Sequence, residues 1–433
     1  MPFGAPIDGK RRKATEQNVV DSNRPVVGAK KQRSTPPEDR SNSILNGSSA
    51  PKNAANAQAT NKKRARKKGF RHSPNNSAVS QKPALYGALD LGTNNCRLLL
   101  ARPTAVGFKV VDGFSRIVRL GEGLTGSGRL SEDAMDRTID ALRACKAKIE
   151  NQNVTRFRLI ATEACRSAEN APSFLARVER EVGFSLEVVD RQTEAQLAVT
   201  GCADLVEPGV AGAIVFDIGG GSSELAWLDF RGGRPKSPGK MASSIRSWQS
   251  LPVGVVSIAE KFDGVNVTPE SFEEMVAYVL SHLKKFRGRE KLKRTMEEHP
   301  LHLVGTSGTV TTLAGLHLGL DRYDRSKVDG LWMRSDQVED TMRVLINMDY
   351  ERRKANACIG RDRADLVLPG CAIFEAIRRE WPCERIRVAD RGLREGILIS
   401  LMSQDRVWSK PTGGQRRRRP KLTQHTTNQG TAS

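Results

Sequence analysis

Two features that define familiar classes of protein are missing from this sequence: paired cysteine motifs and long apolar segments. Its seven cysteines are an odd number and form no C-x-x-C pair, which argues against a disulfide framework and a zinc cluster and favours a reducing compartment. No apolar run approaches the ~20 residues that a membrane helix needs. No apolar stretch follows the basic run at residues 10–13 either, so we expect a cytoplasmic protein.

The formal net charge of +21 lies almost entirely at the two ends of the chain. Residues 1–83 hold 18 Lys and Arg against 5 Asp and Glu, residues 406–433 hold 7 against none, and the residues between them balance to +1. Both ends are poor in large apolar side chains, so they cannot bury enough surface to offset chain entropy. We expect two disordered basic tails around a nearly neutral folded part.

The sequence of the folded part predicts an alternating α/β protein. Ser131 precedes two acidic residues and an apolar pattern of helical period, which predicts a helix over residues 131–152. Short apolar runs predict strands, and their alternation with helical stretches indicates an α/β fold. The predicted strands are residues 85–91, 96–101, 108–111, 117–120, 157–161, 185–189, 212–217, 301–305 and 385–389.

An internal repeat is the most informative feature. Residues 88–98 (ALDLGTNNCRL) and 215–225 (VFDIGGGSSEL) align position for position, 127 residues apart. Each copy has an apolar strand, an aspartate, a glycine-containing turn and a second apolar strand. A repeat of this length indicates a duplicated domain rather than a solenoid, so we expect Asp90 and Asp217 to face each other across one cleft.

The chemistry of these loops points to phosphate and a divalent cation. Glycine lets backbone N–H groups approach an anion, and neighbouring Ser, Thr and Asn side chains add donors. An aspartate beside such a cradle would repel phosphate unless Mg²⁺, which binds carboxylates, waters and phosphate oxygens, lay between them. Taken singly, each loop could equally be a hairpin turn. A third loop, residues 305–309 (GTSGT), precedes a predicted helix. The start of a helix can bind phosphate, but Ser and Thr are also ordinary helix caps at that position.

Six motifs follow one another along the chain: DLGTNN from Asp90, ATEACR from Ala161, QTEA from Gln192, DIGGGSSEL from Asp217, GTSGT from Gly305 and DRGLREG from Asp390. In this order they resemble the Ppx/GppA family of exopolyphosphatases and guanosine pentaphosphate phosphohydrolases. The motifs span some 300 residues, which makes the resemblance far more specific than any one glycine-rich loop. It implies two ribonuclease-H-like domains of the actin-like superfold with the active site in their cleft.

The resemblance also implies roles for individual residues. Glu194 matches the catalytic base and Glu224 a second catalytic acid, while Asp90, Asp217 and Glu224 match the acids around Mg²⁺ or another divalent cation. Arg166 matches a phosphate-binding arginine, a role that its fork geometry suits. Without the family, Glu194 and Arg166 could be solvated surface charges. The other implied phosphate contacts are Thr93, Asn94, Asn95, Gly219, Gly220, Gly221, Ser222, Gly305, Thr306, Ser307, Gly308 and Thr309.

The implied organisation is the short, two-domain form of the family, because the chain has only six histidines and no His-Asp pair of the HD type. We expect domain I at residues 84–205, domain II at 206–390 and a helix at 391–405 that returns to domain I. Whether the substrate is polyphosphate or pppGpp stays open, as does a homodimer. The basic tails are expected to add non-specific contacts to RNA or polyphosphate. A phosphotransferase of the same superfold and an inactive polyanion- or RNA-binding relative are the alternatives.

Overall fold

The computed structural model describes residues 84–154 and 156–408. The predicted N-terminal tail lies outside the described residues, as does the predicted C-terminal tail from residue 409 onward. Within the described ranges, none of the helices combines the length and the apolar character needed to cross a membrane.

The first lobe is built on a five-stranded sheet in the order β3-β2-β1-β4-β5. The first three strands form antiparallel pairs, and β4 and β5 continue the sheet in parallel with β1. Helices pack on both faces through two apolar clusters. The strands are β1 (Tyr86–Leu91), β2 (Asn95–Pro103), β3 (Phe108–Ile117), β4 (Arg156–Ala161) and β5 (Glu187–Val188), and the helices are α1 (Leu124–Ser127), α2 (Glu132–Asn151), α3 (Glu163–Ser167), α4 (Ala171–Val182) and α5 (Arg191–Gly201).

The second lobe has a six-stranded sheet in the order β10-β11-β9-β6-β7-β8. Its strands are β6 (Gly212–Ile218), β7 (Ser223–Asp229), β8 (Ile245–Leu251), β9 (Leu301–Thr306), β10 (Trp332–Arg334) and β11 (Arg385–Ala389). Its α-helices are α6 (Val255–Phe262), α7 (Pro269–Leu283), α8 (Arg289–Glu298), α9 (Gly308–His317), α10 (Arg325–Val328), α11 (Ser335–Ile346), α12 (Tyr350–Ala355) and α13 (Val367–Glu380). Helix α14 (Leu393–Gln404) follows β11 and packs on the first lobe. Three 3₁₀ turns, Ala203–Leu205, Pro238–Ser244 and Arg361–Arg363, complete the described chain.

The two sheets share one topology. Strands β8-β7-β6-β9-β11 repeat the order and the directions of β3-β2-β1-β4-β5, and β10 is an additional antiparallel edge strand. The mixed α/β architecture with two ribonuclease-H-like halves is therefore confirmed. The exact domain boundaries at residues 205 and 390 stay a prediction.

Most predicted elements agree with the structure, but one edge strand was predicted wrongly, and β8 and β10 were not predicted. Helix α2 begins where predicted, with Ser131 Oγ accepting a hydrogen bond from Ala134 N at 3.3 Å. The prediction of two strands at residues 108–111 and 117–120 is wrong, because β3 is one ten-residue strand. Strand β3 lies at the sheet edge and most of its side chains are exposed or half-buried. Polar residues therefore interrupt the apolar pattern without ending the strand.

Helix α14 joins the lobes by packing against α5 and β1 of the first sheet. It begins at Leu393, two residues after the predicted start, and buries Ile397, Leu398 and Leu401 in an apolar cluster with Leu197 of α5. The two helices approach so closely that a Cβ on Gly396 would lie 2.0 Å from the carbonyl oxygen of Leu197. The absence of a side chain at residue 396 is what permits this approach.

We therefore expect Gly396→Ala to destabilise the protein even though alanine is the better helix former by about 1 kcal/mol. The added methyl group must push α14 away from α5, and overpacking of this kind costs about 1–3 kcal/mol. Urea unfolding would measure the loss. The matched control is Gly232→Ala, because a Cβ there meets nothing within 4 Å. Equal stabilities of the two variants would contradict the proposed packing.

Candidate active site

A cleft between the lobes brings the two copies of the repeat together. Its lining includes Asp90 and the following loop from the first lobe, and Asp217 and the following loop from the second. The turn is the same in both copies, since Gly92 N donates to Asn95 O and Gly219 N donates to Ser222 O, each at 2.9 Å. The shared turn therefore presents two equivalent loops to one cavity.

The two loops pack directly against each other at Thr93. A Cβ on Gly220 would lie 2.9 Å from Thr93 Cβ, and one on Gly221 would lie 3.0 Å from Thr93 Oγ1. Any side chain at residue 220 or 221 would therefore push the lobes apart. The glycines serve this contact and leave the backbone N–H groups open to an anion.

Most of the predicted site residues line the cleft, but three do not. Arg166 is absent from the lining, Gly305 lies within β9 where a Cβ would be 2.5 Å from the Phe216 ring, and Thr306 lies on a neighbouring cavity. The glycine at residue 305 thus serves sheet packing. The predicted residues that do line the cleft are Asp90, Thr93, Asn94, Asn95, Glu194, Asp217, Gly219, Gly220, Gly221, Ser222, Glu224, Ser307, Gly308 and Thr309.

The acids at the strand ends differ in their cross-strand partners. Asp90 pairs with Arg97 across β1 and β2, whereas Asp217 at the equivalent position pairs with Glu224 across β6 and β7. Burial raises the pKa of Asp90, and Arg97 opposes that shift. Burial, with Glu224 and Asp90 close by, raises the pKa of Asp217 to about 7. The cleft therefore carries an excess of negative charge that a cation would relieve.

The donor set fits a divalent cation bound by two carboxylates. The side chains of Asp90 and Asp217 accept no hydrogen bond from any described residue, and Asn94 Oδ1 is buried and equally without a partner in that part of the chain. The described residues contain no cluster of three or more acids, histidines or cysteines suited to a metal. Mg²⁺ needs only one or two carboxylates, since waters and phosphate oxygens complete its shell. Asp90 and Asp217 meet that requirement.

Glu224 is held by serines. Its Oε1 accepts hydrogen bonds from Ser222 Oγ at 2.8 Å and from Ser250 Oγ at 2.9 Å. Burial raises its pKa, and these two hydrogen bonds oppose the shift. The predicted role of Glu224 as a direct metal ligand stays a prediction. The side chain is a fixed charge beside Asp217.

Glu194 lies in the first turn of α5, which Asp190 caps by accepting from Thr193 N at 2.6 Å. Its side chain is only 10% exposed, and Oε2 accepts from Arg166 Nη2 at 2.7 Å. Burial and the nearby Glu224 raise the pKa of Glu194, and Arg166 opposes that shift. A carboxylate of raised basicity that is held in one orientation suits a general base.

The guanidinium group of Arg166 donates its hydrogen bonds to two carboxylates and one carbonyl group. Its Nε and Nη2 donate to Glu163 Oε2 at 3.1 and 2.8 Å, and its Nη1 donates to Val189 O at 2.7 Å. Glu163 is held in turn by Arg191 and Ser167. Arg166 therefore orients Glu194, and its predicted contact with phosphate stays a prediction.

Two arginines of the cleft wall, Arg97 and Arg363, were not predicted as site residues from the sequence. Arg97 follows Asp90 by seven residues, as Glu224 follows Asp217, so the aligned repeat contained the signal that they share a face. Arg363 sits in the 3₁₀ turn Arg361–Arg363 and donates only to the carbonyl groups of Ile359 and Cys358 among the described residues. It reaches the cleft only through the tertiary fold, so no local pattern could identify it.

The raised pKa values predict how Mg²⁺ affects stability. Folding raises the pKa of the Asp217 carboxyl from 3.8 to about 7. The raised pKa stabilises the metal-free fold below pH ~4, and this contribution is lost as the pH rises through ~7. Mg²⁺ binds the ionised form. We therefore expect Mg²⁺ to raise Tm more at about pH 8 than at about pH 5.5. Thermal scans would measure the difference, and Asp217→Asn should reduce it. Equal shifts at both pH values in the wild type would contradict this account.

The duplicated lobes and the acidic, anion-cradling cleft define a two-lobed phosphate-handling protein. The model of the Ppx/GppA phosphatase family matches residues 99–405. The chain belongs to the Ppx/GppA phosphatase family, which confirms the predicted family and makes it a hydrolase.

Three known relatives align with this chain over nearly their whole length. Exopolyphosphatase 2 of Mycobacterium tuberculosis is 29% identical over 336 residues, which cover 72% of this chain and 97% of that protein. The crystal structure of the Aquifex aeolicus Ppx/GppA family member is 29% identical with a TM-score of 0.60, covering 74% of this chain and 98% of that one. An exopolyphosphatase structure from Cytophaga hutchinsonii, 24% identical with a TM-score of 0.65 and coverage of 74% and 98%, shares the fold.

Proposed function

We propose that this chain hydrolyses phosphoanhydride bonds and releases the terminal phosphate of inorganic polyphosphate, of pppGpp, or of both. The observation that carries the proposal is the cleft itself, where Glu194 lies in one cavity with Asp90, Asp217 and the glycine loops. The relative from M. tuberculosis bears the name exopolyphosphatase. A base, a pair of acids for a cation and an anion cradle are the groups that phosphoanhydride hydrolysis needs.

In the proposed reaction, water attacks the terminal phosphorus in line with the leaving oxygen. The new P–O bond forms as the bridging P–O bond breaks, so orthophosphate leaves and the substrate shortens by one unit. Glu194 accepts the proton of the attacking water, a contribution of about 10²–10⁴-fold. Arg166 keeps the Glu194 carboxylate oriented toward the cleft.

The remaining groups act on charge and position. Backbone N–H groups of the two repeated loops, including that of Ser222, and the Thr93 hydroxyl would hold the equatorial phosphate oxygens, and most of the rate would come from such stabilisation. A divalent cation bound by Asp90 and Asp217 would supply charge neutralisation for the phosphate. The dependence on Mg²⁺ or a similar ion is part of the proposal.

The choice between the two substrates rests on one further feature of the cleft. Part of its wall is apolar, with Val255, Ile359, Leu366 and Val367 in the lining. An apolar wall of this kind suits a nucleobase, which is the reason for testing pppGpp together with polyphosphate. The same wall would serve a phosphotransferase, for which the diagnostic result is ATP-dependent phosphate transfer that requires a small acceptor.

The experiment that tests the proposal is a comparative assay of orthophosphate release. Wild-type protein with Mg²⁺ should release orthophosphate from long-chain polyphosphate, pppGpp or both, and chelation of the metal should stop the reaction. If neither substrate released orthophosphate, the result would contradict the proposal and favour the inactive, polyanion-binding alternative. The cytoplasmic location, the homodimer and the RNA or polyphosphate contacts of the tails stay predictions.

A further inference from the structure

The outer edge of the second sheet carries a tryptophan that is framed by arginines. Strand β10 contributes Trp332 and Arg334, and strand β11 contributes Arg385 and Arg387. The register pairs Trp332 with Arg387 and Arg334 with Arg385. Directly paired residues project to the same face of a sheet. These four side chains therefore form one surface, which we name the tryptophan–arginine face.

The two sides of these edge strands differ in composition. Met333 and Ile386, which alternate with the four residues, are each 1% exposed and belong to the core of the second lobe. On the other side, Leu205 and its neighbours cover only the central strands. The side chains of Arg334 and Arg385 remain 66% and 46% exposed. The tryptophan–arginine face is therefore an open surface beside a covered one.

The arginines are layered on the indole ring. The Cζ atoms of Arg385 and Arg387 lie 4.5 and 4.9 Å from the centroid of the Trp332 ring, and the His302 ring of β9 meets it edge-on with centroids 5.0 Å apart. Cation–π contacts of this kind hold the flat groups together. Trp332 is half-buried, so part of the ring stays accessible. The face thus combines flat, stackable groups with positive charge.

The positive charge of the face is only partly balanced. Arg334 pairs with Asp336 at 2.8 Å, and Arg385 pairs with Glu207 at 2.5 Å. Arg387 forms no ion pair with any residue that the structure describes, and its Nε is buried without a hydrogen-bond partner there. Burial lowers the pKa of Arg387. An unpaired and partly desolvated charge is costly, so an anion bound at the face would relieve it.

A buried histidine beneath the ring adds a second unsatisfied group. His302 is 2% exposed, and its Nε2 accepts a hydrogen bond from Glu207 N at 3.5 Å. Burial, with Arg385 and Arg387 close by, lowers its pKa to about 4, so the ring is neutral at pH 7 and carries its proton on Nδ1. Among residues 84–154 and 156–408, no acceptor meets this buried Nδ1. Two donors at one face therefore lack acceptors.

The tryptophan–arginine face is separate from the cleft. Arg385 begins β11, and four residues of strand, about 13 Å, separate it from Ala389 at the end that points toward the active site. None of the four residues of the face lines the cleft. A ligand at the face would therefore leave the cleft free, and the proposed function gives the face no role.

We propose that the tryptophan–arginine face binds single-stranded RNA. Phosphates of the strand would pair with Arg334, Arg385 and Arg387, and an unstacked base would stack on Trp332 and the guanidinium planes. The aromatic ring favours a nucleic acid over inorganic polyphosphate, which has no base to stack. The strongly basic ends of the chain would steer the same polyanion toward the protein.

Fluorescence anisotropy of labelled oligouridine, about 12 nucleotides long, tests the proposal on the full-length protein. Arg387→Gln should raise Kd about tenfold, and Arg387→Lys should raise it less because it keeps the charge. Trp332→Leu should also raise Kd about tenfold, since one stacked base is lost. Orthophosphate release should be unchanged in all three variants. The matched control is Arg143→Gln, because Arg143 is an exposed, ion-paired arginine on α2 of the first lobe.

The same titration with inorganic polyphosphate of equal phosphate number identifies the ligand. Trp332→Leu should weaken binding of oligouridine and leave binding of polyphosphate nearly unchanged. An equal loss for both would mean that the face recognises phosphate alone and would overturn the assignment to RNA. Equal Kd values of oligouridine for wild type and Arg387→Gln would overturn the site itself. If Trp332→Leu does not fold, Trp332→Phe, which keeps a ring, should bind nearly as wild type, and Arg387→Gln then decides.

Discussion

Glu194→Gln should lower kcat by about 10²-fold or more while KM changes little. Glutamine keeps the size of the side chain and an oxygen that can accept from Arg166, but it cannot take a proton from water at neutral pH. Arg166 keeps its pairing with Glu163 at 2.8 Å, so the substitution leaves no orphaned guanidinium group. Steady-state kinetics on the preferred substrate would measure both constants.

The control for this prediction is a glutamate outside the cleft. Glu179 on α4 is exposed and lies in the same lobe, so Glu179→Gln should retain normal kinetics. A near-normal kcat for Glu194→Gln would remove this residue from the mechanism. A rise in KM with an unchanged kcat would make it a substrate-binding residue instead.

Asp217→Asn should raise the Mg²⁺ concentration that gives half-maximal activity, and excess Mg²⁺ should partly restore the rate. Loss of one of two carboxylates weakens the cation site without removing the general base. Because the Asp217 side chain accepts no hydrogen bond from a described residue, asparagine should not disturb the fold. Mg²⁺ activation curves for wild type, Asp217→Asn and Glu194→Gln would separate the two roles.

Each role predicts a different curve. Excess Mg²⁺ should restore Asp217→Asn in part and Glu194→Gln not at all. An unchanged Mg²⁺ requirement for Asp217→Asn would contradict its role at the metal. Rescue of Glu194→Gln by Mg²⁺ would indicate that Glu194, and not Asp217, holds the cation.

The sequence predicted the fold well because the decisive signal is an aligned repeat. Two copies of one strand–turn–strand unit, 127 residues apart, required two similar lobes, and the sheets do share their topology. The strand at residues 385–389 matches β11 at both ends. Strand β3 was predicted as two short strands because an edge strand has few buried residues, so the apolar pattern does not mark its length.

The site could be predicted only in part, and the limit lies in tertiary packing. The two repeated loops and their aspartates are local motifs, so their presence in the cleft followed from the repeat. Arg166 occurs in such a motif, but its guanidinium group pairs with Glu163 and Glu194 and does not itself line the cleft. Arg363 comes from a 3₁₀ turn and reaches the cleft only after the second lobe folds. No spacing in the sequence encodes that arrangement.

The central claim is that water, activated in this cleft, attacks the terminal phosphorus of the chain. Hydrolysis of polyphosphate in ¹⁸O-labelled water tests it most directly, with mass spectrometry of the products. The account predicts that the released orthophosphate carries one ¹⁸O atom from water and that the shortened chain carries none. Label at the new end of the chain, with unlabelled orthophosphate, would mean attack on the inner phosphorus and would contradict the account.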